Sequence, residues 1–275
     1  MRVVILGSGT GIPDPKQPRG YAGLYIKVGR EHILLDAGPN TLKQLMRVGV
    51  TFLDLDRLFL THFHPDHCLD LVSILFAMRM PAVGSPAAAD TPSPAGIVPA
   101  RSPTRTKPFT VYGPRGLKRL YQQLNTAFHR WIEPRTYRLT LKELRPTTLR
   151  LPGYTVQTKR MNHAGGRALG YRLEAHGKSI AYSGDTDVCR EIVELGRNAD
   201  ALILECSMPD DRKVEGHLTP SECGRIAASA ACRHLVLTHF YPVVTLAAAR
   251  RSVRQSFRGR LTLARDLSSL DLTTL

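Results

Sequence analysis

Acidic residues are scarce in this chain: 23 aspartates and glutamates stand against 38 lysines and arginines, leaving a formal charge of +15. A surplus of that size draws anionic partners by long-range attraction, nucleic acid first among them, although an arginine-rich proteome also produces basic surfaces without any specific partner. There are only five cysteines, Cys68, Cys189, Cys206, Cys223 and Cys232. They are odd in number and lack metal-knuckle spacing, which argues against a disulfide framework and for reduced thiols. No apolar run reaches bilayer-spanning length; the longest candidate, residues 71–80, is broken by Ser73 and Arg79. The run at residues 1–7 is too short for a signal peptide and reads as a first strand, so the expected compartment is the cytoplasm with no membrane contact.

What is present is ordinary for a globular protein: 43% hydrophobic and 22% charged residues. The 275 residues suit one large α/β domain spanning 1–275. Residues 81–108, dense in proline, alanine, glycine and serine, are expected as a mobile surface loop with a basic end at Arg101, Arg105 and Lys107.

The chain is organised around Thr61-His62-Phe63-His64-Pro65-Asp66-His67, placed directly after the apolar run Leu58-Phe59-Leu60. A strand ending at Leu60 leaves the following loop at a sheet edge, where His62, His64, Asp66 and His67 can converge. Imidazole and carboxylate ligands suit zinc and also accept iron or manganese. This is more donors than one tetrahedral ion can use while keeping a position for water, so a pair of ions is expected.

The second half repeats one pattern, an apolar strand followed by a polar residue. Strands at 154–161, 179–183, 201–204 and 235–238 lead to His163, Asp185, Glu205 and His239. Residues drawn from several strand ends can meet at one edge of a sheet. Asp36 ends the second strand of a hairpin at 24–36, where a carboxylate can orient a ligand histidine. His217 stands just before a helix start, with Thr219 as N-cap, Pro220 at the first position and Glu222 closing a capping box, which makes it positionable for acid or base work. The glycines of Gly7-Ser8-Gly9-Thr10-Gly11 allow a tight loop to approach the site, since Pro13 and Pro15 stop any following helix. On that loop Lys16 and Arg19 are candidates for contact with a substrate phosphate. A final helix at 245–257 carries Arg250, Arg254 and Arg258 at four-residue spacing, a stripe that suits either a phosphate backbone or solvent.

Taken together, His62-Phe63-His64-Pro65-Asp66-His67, His163, Ser183-Gly184-Asp185-Thr186, Glu205, His217-Leu218-Thr219 and Thr238-His239 resemble the metallo-β-lactamase superfamily, and within it the ribonuclease Z branch. The resemblance implies a four-layer αββα sandwich, two mixed sheets packed face to face with helices on both outer faces. It implies one zinc on His62, His64 and His163, a second on Asp66, His67 and His239, and Asp185 bridging them, with manganese or iron as alternatives. A metal pair of this kind suits phosphodiester hydrolysis, because it activates water near neutral pH and stabilises charge on the phosphoryl oxygens. His217, oriented by Glu205, and Asp66 are then the candidate catalytic residues.

The branch further implies a precursor tRNA substrate cut at its 3′ trailer and, by analogy with dimeric relatives, a homodimer. Two departures stand out. Only a short hairpin around 174–178 occupies the interval between His163 and Asp185, where ribonuclease Z enzymes usually insert a long tRNA-gripping arm. Glu205 also lacks the histidine that precedes it in the family. The rival expectations are a hydrolase of small esters (aryl sulfates, phosphate diesters or a lactone), a di-iron redox protein, which His64 argues against, and a non-catalytic nucleic-acid-binding protein.

Overall fold

The computed structural model describes residues 1–80 and 104–272, and its first strand already shows the layering. In β1 (Arg2–Gly7), Val3 and Ile5 face one apolar cluster while Val4 and Leu6 face another. Side chains alternate across a strand, so an unbroken apolar run is a strand covered on both faces. The same division recurs in β11 (Ala201–Glu205), where Ala201 and Ile203 share the first cluster and Leu202 and Leu204 enter a third.

One sheet holds β1, β2 (Gly23–Val28), β3 (Glu31–Leu35), β4 (Arg57–Phe59), β5 (Phe109–Pro114), β6 (Leu139–Leu144) and β14 (Ser269–Asp271), in the order β14-β1-β2-β3-β4-β5-β6. The other holds β7 (Thr147–Leu151), β8 (Tyr154–Arg160), β9 (Leu169–Ala175), β10 (Lys178–Tyr182), β11, β12 (His234–Thr238) and β13 (Arg260–Leu263), in the order β13-β12-β11-β10-β9-β8-β7. Residues of both sheets form the central cluster. Helices α1 (Thr41–Arg47), α3 (Asp70–Arg79) and α4 (Leu117–Ala127) pack on the outside of the first sheet, and α5 (Arg190–Gly196), α6 (Pro220–Ser229) and α7 (Leu246–Val253) on the outside of the second. This is the expected αββα sandwich.

Direction matters as much as order. β3 pairs with β4 in parallel, β10, β11 and β12 are parallel to one another, and β8 reaches β10 through two antiparallel pairings. Their C-terminal ends therefore deliver Asp36, Thr61, His163, Asp185, Glu205 and His239 to one edge. Among the described residues, no helix is long and apolar enough to cross a membrane.

Three features differ from the sequence reading. Strands β6 and β7 carry no clear signal in the sequence, because residues 139–151 mix lysine, glutamate and arginine into their alternation. The last helix stops at Val253; the Arg254 guanidinium turns back to the carbonyls of Phe257 and Gly259, so Arg250, Arg254 and Arg258 do not form a continuous stripe. Of the stretch expected to be a mobile loop, 81–103 lies outside the described residues, but Arg105 is buried. Its guanidinium donates to the carbonyls of Phe52, Leu53, Leu55 and Pro108, fastening the strand entry at 108–109 to the turn before β4.

Candidate metal centre

Four histidines of the site, His62, His67, His163 and His239, are each held by a second group that decides which ring nitrogen faces inward. Asp36 is fully buried and accepts from the Thr61 backbone N–H at 2.7 Å, the Thr61 hydroxyl at 2.9 Å, the Tyr182 hydroxyl at 2.9 Å and His67 Nδ1 at 2.8 Å. His67 therefore carries its proton on Nδ1. Because the Thr61 hydroxyl already donates to Asp36, it accepts from His62 Nδ1 at 3.0 Å. His163 Nδ1 donates to the Gly216 carbonyl at 2.8 Å. Ser207 donates to Glu205 and so accepts from His239 Nδ1 at 3.0 Å.

In the neutral tautomer that these partners select, all four rings turn Nε2 inward, the arrangement a metal site requires of its histidines. The inward contacts are acceptor against acceptor: His67 Nε2 to His239 Nε2 at 3.1 Å, His163 Nε2 to His64 Nδ1 at 3.3 Å, and Asp185 Oδ1 to His67 Nε2 at 3.2 Å and His239 Nε2 at 3.5 Å. His62 Nε2 and Asp185 Oδ1 are buried without a hydrogen-bond partner. Buried polar atoms are costly unless satisfied, and lone pairs facing one another at these distances are reconciled by a cation between them. The donor set therefore fits metal.

The donors form three groups, two of them separate and the third, Asp185, His217 and His239, overlapping both. His62, His64, His163 and Asp185 can converge on one point, and Asp66, His67 and His239 on another. Asp185 faces both: Oδ2 lies 3.9 Å from His62 and from His163, whereas Oδ1 faces His67 and His239. It reaches this position through the turn at Gly184, whose φ of 57° is left-handed and whose added Cβ would stand 2.7 Å from Thr61. Although burial opposes charge on His67, Asp185 and Asp36 push its affinity for a proton well above the ordinary value, so a proton and a metal compete for this position.

Asp66 and His67 lie on a helical turn, α2 (Pro65–Cys68), instead of an open loop; Pro65 at its first position starts the turn. Asp66 Oδ2 is 3.4 Å from His239 Nε2 and 3.9 Å from His67 Nε2. His217 precedes α6, whose capping box is formed as expected. Its Nδ1 lies 3.1 and 3.2 Å from the two oxygens of Glu205, which also accept from the backbone N–H of Thr186 and of Leu218. Burial lowers the His217 pKa, but the hydrogen bond and charge of Glu205 outweigh it and the net shift is upward. Through Ser207 and directly, one carboxylate aligns both His239 and His217.

The glycine loop does reach the site, with the position of a Cβ on Gly11 lying 3.5 Å from the Asp66 carboxyl. Its two basic residues differ. Lys16 is exposed, whereas Arg19 Nη1 donates to Ser8 Oγ at 2.6 Å and the Ala264 carbonyl at 2.9 Å. The sequence does not single out Tyr182, Ser207 or Tyr241, and it places Thr61 in the motif without its role of holding Asp36 and His62. Tyr241 sets its ring edge-on to His217 and His239, at centroid distances of 6.1 and 6.2 Å. Its signal was position, two residues past His239.

Inward lone pairs gathered around a central carboxylate at the edge of an αββα sandwich define a metal-dependent hydrolase. Residues 90–240 match the model of the beta-lactamase superfamily domain, and residues 1–86 match that of the anti-Pycsar protein Apyc1. The ribonuclease Z of Nocardia farcinica is 30% identical over 298 residues, covering 98% of this chain and 97% of the relative. Two solved structures share the fold: the metallo-beta-lactamase fold protein YhfI from Bacillus subtilis (TM-score 0.78, 22% identity, 98% of each chain) and the short form of human tRNase Z, ELAC1 (TM-score 0.73, 24% identity, 99% of each chain). The chain belongs to the metallo-β-lactamase superfamily, in its ribonuclease Z-like branch.

Proposed function

We propose that this hydrolase is a di-zinc endoribonuclease that removes the 3′ trailer of precursor tRNA, leaving a 3′ hydroxyl on the tRNA. The observation that carries the reading is the split donor set around Asp185: His62, His64 and His163 on one side, Asp66, His67 and His239 on the other, with one carboxylate oxygen turned to each. Two ions held by these residues would supply a water of near-neutral pKa and stabilise charge on the phosphoryl oxygens.

The chain's own groups handle the leaving oxygen. Glu205 holds His217 through Nδ1, which leaves Nε2 to carry a proton to the 3′ oxygen as the P–O bond breaks. Asp66, beside His239, is the other group placed to move that proton. His217→Ala separates them: kcat falls about 10²–10⁴-fold if His217 is the donor, and stays close to the parent value if Asp66 is. Single-turnover cleavage rates at saturating substrate measure this.

A small phosphodiester substrate is the second reading. It is favoured by the interval between His163 and Asp185, which holds only a turn at 164–166 and the tight β9–β10 hairpin. Precursor tRNA carrying a 3′ trailer, incubated with zinc-loaded protein, decides between the two. A cut just past the acceptor stem is expected. An uncut tRNA alongside rapid hydrolysis of an aryl phosphodiester would overturn the tRNA reading and leave the site chemistry in place.

A further inference from the structure

Beside the metal centre lies a cleft of about 870 Å3 whose charged lining is five arginines, Arg115, Arg119, Arg145, Arg160 and Arg167, and one carboxylate, Glu143. The arginines come from four separate stretches: the β5–α4 turn and start of α4, the β6–β7 crossing from one sheet to the other, the end of β8, and the turn after His163. All five are exposed, and among the described residues none forms an ion pair. Elsewhere Arg57, Arg130, Arg172, Arg190 and Arg233 each find a carboxylate. Glu143 does not neutralise the group by pairing, since its Oε1 accepts from the backbone N–H of Gly116 and Lys118 at the start of α4.

Like charges gathered without partners repel one another and are held together here only by the backbone, so the cleft favours an anion. Its size exceeds a single phosphate. No aromatic ring lines it, whereas small-molecule pockets are mostly apolar and aromatic, and base-reading sites stack bases on rings. Guanidinium forks match phosphate oxygens and read a backbone without reading sequence.

The cleft also borders the site. Phe63, between His62 and His64, lies behind its wall: a Cβ on the lining residue Gly116 would stand 3.4 Å from the Phe63 ring. On the other side the Gly166 N–H bonds the His163 carbonyl at 2.9 Å, one residue before Arg167.

We infer that this arginine cleft binds the phosphate backbone of RNA next to the bond being cut, doing from the β6–β7 side what an inserted arm does in relatives. The inference rests on reading the centre as an RNA hydrolase, but binding can be measured apart from cleavage. In an Asp185→Ala background, the anisotropy of a fluorescein-labelled acceptor-stem minihelix RNA with a single-stranded 3′ tail reports affinity as a function of salt.

Arg115→Gln, Arg119→Gln and Arg145→Gln together should weaken binding at least about tenfold near 0.1 M salt and flatten the slope of log Kd against log salt by about 2 to 3. A charge-matched control, Arg250→Gln, Arg251→Gln and Arg258→Gln near α7, should leave the slope nearly unchanged, and thermal melting confirms that both variants fold. Equal losses in the two variants, or no loss in the cleft variant, would overturn the inference. So would poly-glutamate competing as well as unlabelled RNA, which would make the cleft a protein-docking surface. RNA bound through the cleft but uncut by the parent protein sinks the tRNA reading and leaves the cleft assignment standing; RNA cut normally by the cleft variant with unchanged KM does the reverse.

Discussion

Asp185→Ala is expected to abolish hydrolysis of both RNA and small phosphodiesters and to lower the bound metal, measured by elemental analysis after gel filtration. The reason is geometric. Asp185 is the residue whose two oxygens face different donor groups, so its loss removes a ligand from both at once. Thermal melting of metal-free protein checks the fold: Oδ1 has no hydrogen-bond partner to lose, but it lies 3.2 Å from His67 Nε2, so some loss of stability is expected with the charge contact. Full activity with an unchanged metal content would remove Asp185 from the centre and with it the two-metal reading.

The second large effect concerns stability as much as metal. Asp36→Ala leaves the Thr61 N–H and hydroxyl, the Tyr182 hydroxyl and His67 Nδ1 without their acceptor in a fully buried place. Removing one partner from such a buried charged network costs about 3–5 kcal/mol. Urea unfolding of metal-free protein should show that loss as a lower midpoint. Asp36→Asn is the informative companion. Its amide oxygen can keep the Thr61 N–H, while its NH2 takes the place of Oδ2, where the Thr61 and Tyr182 hydroxyls can turn to accept but the His67 Nδ1–H is opposed and that ring is pushed toward the wrong tautomer. Metal affinity should then fall about 10–100-fold, as for other groups that orient ligand histidines, with most of the stability retained. If Asp36→Asn binds metal as tightly as the parent, the tautomer argument for His67 is wrong.

The residues that meet at the sheet edge are legible in the chain because each stands at the end of an apolar run or in one short motif. His62 to His67 follow β4, His163, Asp185 and His239 follow β8, β10 and β12, and Glu205 ends β11. An apolar run buried on both faces is a strand, and parallel strands put their C-terminal ends at one edge; pattern and direction suffice for that inference. The capping box at Thr219 was equally local, since its two hydrogen bonds span three residues. Asp36 was recognisable as a carboxylate at a strand end, though its partners were not.

What only the tertiary structure decided is how each side chain is held. Tyr182 meets Asp36 across 146 residues of chain, and Ser207 meets His239 across 32, with no spacing rule to announce either contact. Arg105, in a stretch whose composition suggests a loop, is buried because four backbone carbonyls around Phe52, Leu55 and Pro108 converge on it. The charge of +15 likewise said that anions would be attracted without saying where. Five arginines spread from 115 to 167 share one cleft because β6 and β7 carry the chain from one sheet to the other beside the site. Sequence supplies the chemical groups and the strand periodicity; their distances and second partners come from packing two sheets together, which no local pattern encodes.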